Sequence, residues 1–203
     1  LKTLIDDNDF DLVISDNICK PLSYHNNCVI LGSFLWHDIA KKTFSNTAVI
    51  ASEKKIFREF RPTVFAMENF VMPEIYNYGN VVEFPSLIKT QEALVKDLSL
   101  PYKIFFTFGS SRDLNGKYKM IKETLDNMEN TFILYDSSYY DNTDNDYHTF
   151  FDFSNKSFSQ LSLIVTRPGI GIISDSIKFQ IPLVVDSFYL NKEIEFNAQK
   201  IEE

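Results

Sequence analysis

The residues with the clearest capacity for chemistry lie between Leu163 and Asp175. The apolar run Leu163-Ile164-Val165-Thr166 leads into Arg167-Pro168-Gly169-Ile170-Gly171-Ile172-Ile173-Ser174-Asp175. A buried strand that passes through a glycine-containing turn into a helix leaves unpaired N–H groups at the carboxyl edge of a parallel sheet. Such a helix start favours anions, through its free donors and through the helix dipole. Gly169 and Gly171 would let a phosphate approach the backbone closely. This edge is also where open α/β sheets bind ligands.

Gly109-Ser110-Ser111, after the apolar run Lys103 to Phe108, offers a second turn of the same kind. Each turn taken alone reads equally well as a plain strand-to-helix connection. Two of them in one half of the chain favour a shared ligand. Asp175 has two readings: an acid at a helix start that complements the dipole, or a carboxylate accepting hydrogen bonds from ribose hydroxyls.

His37 stands beside Asp38 in Phe34-Leu35-Trp36-His37-Asp38. It reads as a surface histidine after a strand, or as a base or acceptor contact. His25 and His148 sit in polar stretches and read as solvated, and Trp36 as core or cleft wall. Cys19 and Cys28 are too far apart, and too far from the histidines, for a metal-ligand pattern. No metal site is expected, and both thiols read as buried in a reducing compartment.

The elements needed to position these groups alternate along the chain. Strand signals fall at 10–15, 27–31, 64–66 and 81–84, with a further candidate at 47–50. Ser86 to Tyr102 reads as a connector. Beyond it come strands at 103–108 and 131–135, with a helix over 117–128 that places Met120, Ile121, Leu125 and Met128 at helical spacing. A polar loop follows at 136–146. Then come a strand over 161–166, a helix over 174–179, a strand over 182–185 and a final helix over 192–203. Alternating strands and helices predict parallel sheets with covered faces.

Composition fits a globular chain. Hydrophobic residues make up 44% and charged residues 24% of 203 residues, which argues against disorder. The 19 Phe supply large core side chains. A formal charge of -8 without a basic stripe excludes a nucleic-acid partner. No stretch reaches the roughly 20 apolar residues that span a bilayer. A cytoplasmic location is expected, or a peripheral one at the inner face of the membrane. The chain starts at Leu1 partway through a pattern and reads as a piece whose first domain is incomplete.

Phe150 to Ala198 resembles the carboxyl-terminal domain of the lipid-II-forming N-acetylglucosaminyltransferases and is similar to the related UDP-glycosyltransferases. The resemblance rests on Arg167-Pro168-Gly169, Ser174-Asp175, Gln180-Ile181-Pro182 and Asn197-Ala198, where that family has Arg-x-Gly, Ser/Thr-Glu, Gly-x-Pro and Asn-Ala. Upstream, Ile104 to Ser111 looks like the strand and Gly-Ser turn that open the family's donor domain. Residues 65–85 and 11–36 look like late parts of its acceptor domain.

The resemblance implies a GT-B fold, α/β with two Rossmann-like domains. Residues 1–90 would be the later part of an acceptor-side domain, and residues 91–203 a donor domain. It implies a UDP-sugar donor, an acceptor that is lipid-linked or a small molecule, transfer without a metal, and no cofactor. The implied donor contacts are Gly109, Ser110 and Ser111 facing the diphosphate, and Arg167, Gly169, Ile170, Gly171 and Ile172 near the phosphates or sugar. Asp175 would hold the ribose, and the backbone at Phe151 would read the uracil.

Departures from the family pattern are also visible. Asp175 is one methylene shorter than the family's Glu. Glu193-Ile194-Glu195-Phe196 replaces a Gln before Asn-Ala. No catalytic base can be assigned beyond the candidate His37. A nucleotide-sugar hydrolase, a 2-epimerase on the same fold and a non-catalytic binder of nucleotide sugars stay open as alternatives.

Overall fold

The computed structural model describes residues 1–39, 47–85, 101–108, 117–136, 148–186 and 191–202. The chain forms two compact units, residues 1–87 with 188–203, and residues 88–187. The last helix therefore belongs to the first unit, whereas the sequence reading groups it with the second half.

In the first unit, α1 (Lys2–Asp6) precedes a four-stranded parallel sheet of β1 (Val13–Asp16), β2 (Cys28–Leu31), β3 (Thr63–Met67) and β4 (Asn80–Phe84). The strands lie side by side in chain order. Short helix α2 (Trp36–Ile39), the long helix α3 (Thr47–Phe60) and two 3-10 turns, Lys20–Ser23 and Pro73–Asn77, make the connections. Alternation puts Cys28, Ile30, Val64 and Ala66 on one sheet face, where they join Leu22, Leu35, Ile56, Phe57 and Ile75 in one core. Each fully buried side chain of this size contributes about 1.5–3 kcal/mol.

The run at 47–50, read from sequence as a strand, is the first turn of α3. Its β-branched residues suit a strand locally. The continuation to Ile56 and Phe57, both buried on the core side, favours a helix instead. The last helix, α7 (Lys192–Glu202), buries Ile194, Asn197 and Ala198, and its Phe196 packs with Phe34, Ile39 and Met72.

The second unit is a five-stranded parallel sheet in the order β7-β6-β5-β8-β9. The strands are β5 (Tyr102–Thr107), β6 (Thr131–Tyr135), β7 (His148–Phe150), β8 (Leu163–Thr166) and β9 (Leu183–Val185), connected in part by helices α4 (Lys117–Asp126), α5 (Asn155–Ser159) and α6 (Ile170–Phe179). Both faces of the central strand are covered. Phe105 packs with Ile164, with Phe158 of α5 and with Phe179 of α6. Phe106, on the opposite face, meets Tyr118 of α4 at 4.8 Å.

Helix α4 turns differently from its sequence reading. Leu125 is buried, but Met120 and Met128 are exposed. The sheet-facing side is Tyr118–Lys122–Leu125; Lys122 lies over the ring of Tyr135 and bonds Asp126, which accepts the Tyr135 hydroxyl at 2.7 Å. The α/β class expected from sequence, with two Rossmann-like parallel sheets, is the class observed.

Candidate functional site

The carboxyl ends of β5, β6, β8 and β9 form an edge held by short-range bonds. Beyond β6, buried Asp136 accepts the hydroxyl of buried Thr107 at the end of β5. At the end of β8 the Thr166 hydroxyl donates to the Arg167 carbonyl at 2.9 Å. The Thr166 carbonyl accepts the Asp186 N–H at 3.0 Å, and the Arg167 carbonyl accepts the Gly169 N–H at 2.8 Å. Arg167, Pro168 and Gly169 thus turn tightly from strand into helix.

Gly169 caps α6 with an extended backbone, φ -77 and ψ 145, and no side chain caps the helix. The helical ladder begins only where the Ile173 N–H meets the Gly169 carbonyl at 3.1 Å. The N–H groups of Ile170, Gly171 and Ile172 are those that a helix start leaves for an outside acceptor. Among the described residues, a Cβ added at Gly169 or Gly171 would meet no atom within 4 Å apart from its chain neighbours and the helix's own backbone.

Asp175 is the sixth residue of α6, because the helix begins at Ile170 and not near Ser174. The sequence reading starts the helix late because Gly171 weakens its helical signal. At that depth the dipole, which acts within the first turn, does not account for the acid. Asp175 lies one turn beyond Gly171 and Ile172, on the same helix face. Burial raises its carboxyl above the ordinary carboxylate range, and Lys178 draws it partly back. Among the described residues it has no hydrogen bond or ion pair.

Phe151 is fully buried. Its ring stacks on Phe105 at 4.0 Å and stands edge-on to Phe158 at 4.9 Å. Its N–H donates to the Tyr135 carbonyl at 2.8 Å. Only the main chain of Phe151 can therefore serve a ligand, and its N–H is already engaged. Nearby Phe153 takes a left-handed backbone, φ 56, and leaves about half of its side chain exposed. Nothing at sequence level marks that strain. Gly109, Ser110 and Ser111 lie outside the described residues.

In the first unit His37 is not a surface histidine. Its ring is wholly buried, with Nδ1 2.7 Å from Glu53 Oε2 and Nε2 3.4 Å from Asp38 Oδ1. It stands edge-on to Tyr78 at 4.9 Å. Glu53 comes from α3 and also accepts the backbone N–H groups of Trp36 and His37, so it caps α2. Burial, then the negative Glu74 and Glu53, raise the Asp38 carboxyl, while His37 lowers it.

The Trp36 indole N–H donates to the Asn17 carbonyl at 2.8 Å. His25, read from sequence as solvated, is half-buried, with its two ring nitrogens each 2.8 Å from a backbone carbonyl, of Asn27 and of Phe10. The ring of His148 lies outside the described side chains. Cys19 and Cys28 are free thiols. Burial, with Glu53 nearby, pushes Cys19 up to about 11, and burial raises Cys28, so neither is a nucleophile at neutral pH. Among the described residues no three His, Cys, Asp or Glu side chains converge to hold a metal, and no helix is long and apolar enough to cross a membrane.

No protein-family profile and no curated protein sequence matches the chain. Solved structures do match it. One is described as the glycotransferase of kitacinnamycin, with TM-score 0.58 and 10% identity over 99% of this chain and 63% of that one. Another is the spinosyn forosaminyltransferase SpnP, with TM-score 0.54 and 9% identity over 91% of this chain and 59% of that one. The fold is therefore the GT-B type of these glycosyltransferases, and the chain spans about three fifths of the length of each.

Proposed function

We infer that the chain belongs to a glycosyltransferase that moves a sugar from a UDP-sugar to an acceptor, with the donor held at the carboxyl edge of the second sheet. The observation that carries this reading is the uncapped start of α6, with room for a Cβ at Gly169 and Gly171 among the described residues and the half-buried Asp175 one turn further along the same face. A diphosphate would accept from the N–H groups of Ile170, Gly171 and Ile172. These donors would also stabilise the leaving diphosphate as its charge grows.

In this reading Asp175 would accept from the ribose hydroxyls, which restore the solvation that burial removes. Arg167 opens the turn, and Gly109, Ser110 and Ser111 would complete the phosphate side. The Phe151 carbonyl would read the edge of the uracil. Neither a metal nor a cofactor is invoked. The fold shared with two glycosyltransferases supports transfer in general. The N-acetylhexosaminyl donor and a lipid-linked or small-molecule acceptor follow from the sequence resemblance alone.

Calorimetric titration with UDP, against ADP and inorganic diphosphate, tests the site. Saturable binding that prefers UDP is expected. Equal or absent binding of the nucleotides would remove the donor assignment. UDP release from a UDP-sugar that requires an acceptor would mark transfer, and release without one would mark hydrolysis.

A further inference from the structure

Trp36, the one tryptophan of the chain, is firmly anchored and yet uncovered. Its indole N–H donates to the Asn17 carbonyl at 2.8 Å, and its ring stands edge-on to Phe34 at 5.2 Å. Its main-chain N–H donates to Glu53 Oε1 at 3.3 Å, on the same buried carboxylate that holds His37. Its neighbours Phe34 and Leu35 are 8% and 2% exposed, whereas Trp36 is 43% exposed. Ile18, which follows the Asn17 carbonyl, is 54% exposed. The indole N–H is already bonded, so what Trp36 shows to solvent is the apolar ring.

The support beneath the ring is strained and closely packed. Asn17, one residue past β1, takes a left-handed backbone, φ 50. The Ser15 hydroxyl donates to the Ile18 carbonyl at 2.7 Å and folds this turn onto the strand. Gly32, one residue past β2, makes room for the Asn17 side chain, since a Cβ there would sit 1.8 Å from Asn17 Oδ1. Such strain persists where the surroundings over-determine it, and it collects at ligand sites. Here it fixes the carbonyl that orients the indole. β2 is an interior strand, paired with both β1 and β3, so the exposure of Trp36 is not that of an unpaired sheet edge. Asp16 ends β1 beside this turn with an exposed carboxylate, whose one side-chain bond among the described residues comes from Asn17 Nδ2 at 3.4 Å.

We propose that Trp36 is a preorganised platform on which a sugar ring of the acceptor stacks, with the Asp16 carboxylate at its rim taking hydrogen bonds from the ring hydroxyls. A sugar carries C–H groups on one face and hydroxyls around its edge. A bare indole face beside a carboxylate complements both. A wholly apolar ring would cover the indole and strip water from Asp16 with no hydrogen bond in return. The role in transfer rests on the glycosyltransferase reading above, whereas the platform rests on the first unit alone.

Because the 203-residue chain has a single tryptophan, its fluorescence reads the platform directly. The chain is titrated with the methyl glycosides of glucose, galactose, mannose and N-acetylglucosamine, with cyclohexanol as a ring that lacks the hydroxyl rim, and by calorimetry with UDP. At least one glycoside is expected to shift the emission saturably and to protect the indole from acrylamide, and cyclohexanol is not. Asp16→Ala, with an unchanged circular dichroism spectrum, weakens that glycoside by about tenfold, the scale of a lost hydrogen bond to a charged group. By calorimetry Trp36→Ala loses the glycoside. Trp36→Phe keeps a ring and part of the affinity, which preserves the comparison if the alanine variant does not fold.

UDP binding without a response to any of the glycosides overturns the platform and leaves the donor site standing. A glycoside response without UDP binding removes the role in transfer together with the reading it rests on. A response to cyclohexanol alone makes the occupant apolar and overturns the assignment. So does free protein whose emission is blue-shifted and closed to acrylamide, since the indole is then covered. Full glycoside affinity in Asp16→Ala removes the rim.

Discussion

Glu53 Oε2 lies 2.7 Å from both the backbone nitrogen and the Nδ1 of His37, so one buried oxygen caps α2 and fixes the imidazole. Glu53→Ala would strand three donors in the interior. A loss of about 1–3 kcal/mol is expected, the scale for leaving a buried hydrogen-bond donor unsatisfied. Glu53→Gln keeps an acceptor and should lose less. Urea unfolding at constant slope measures both, and a cost for Ala near zero would show that the pair does not hold α2 in place.

Asp175 gives a prediction in which stability and binding move in opposite directions. Its folded carboxyl is raised by burial, so its contribution to stability is complete below the ordinary carboxylate range and is lost as pH rises through the raised value. At neutral pH the ionised group burdens the fold. Asp175→Asn should be more stable than the parent at pH 7, with the gap closing below about pH 4. The change should also weaken UDP binding, and Asp175→Ala should weaken it by about 1–3 kcal/mol. An Asn variant with full UDP affinity would separate this carboxylate from the ribose.

Gly171 sits in the first turn of α6 with open space where a side chain would go. Gly171→Ala should raise stability by about 0.5–1 kcal/mol, since alanine loses less freedom in a helix. The new methyl enters the space assigned to phosphate, so UDP affinity should fall. Thermal melts and UDP titrations on one preparation decide the matter. Unchanged affinity would move the phosphates elsewhere.

Gln180 ends α6 in the left-handed conformation, φ 53 and ψ 48, a region that glycine enters without steric cost. Glutamine is strained there in a way glycine is not. Gln180→Gly should stabilise the protein by about 0.5–1 kcal/mol and leave UDP affinity alone. A lower melting temperature would show that the Gln180 side-chain contacts outweigh the backbone strain.

How much of this was legible in the sequence depended on the range of the interaction. The strand cores around Ile30, Val64, Ile104, Ile133 and Ile164 announce themselves, because a buried parallel strand is a continuous apolar run. The three-residue β7 carries too little pattern to be seen, and its strand character comes from pairing with Ile133 to Tyr135. Thr47 to Ile50 misleads because strand-favouring residues can begin a helix once Ile56 and Phe57 bury its face. The turn at Arg167 to Gly171 was visible, but not the depth of Asp175 in its helix. The Glu53–His37 contact spans 16 residues and has no local sign, so His37 was read against its neighbour Asp38 alone.

Helix α7 packs Phe196 beside Phe34, Ile39 and Met72, at the opposite end of the chain. During synthesis the interior unit, residues 88–187, is contiguous and can settle as soon as it emerges. The unit that brackets it in the sequence is finished only afterwards, with Phe34 and Met72 uncovered until α7 supplies their lid. Loss of α7 would therefore be felt as an injury to the core at Phe34 and Met72, far earlier in the sequence.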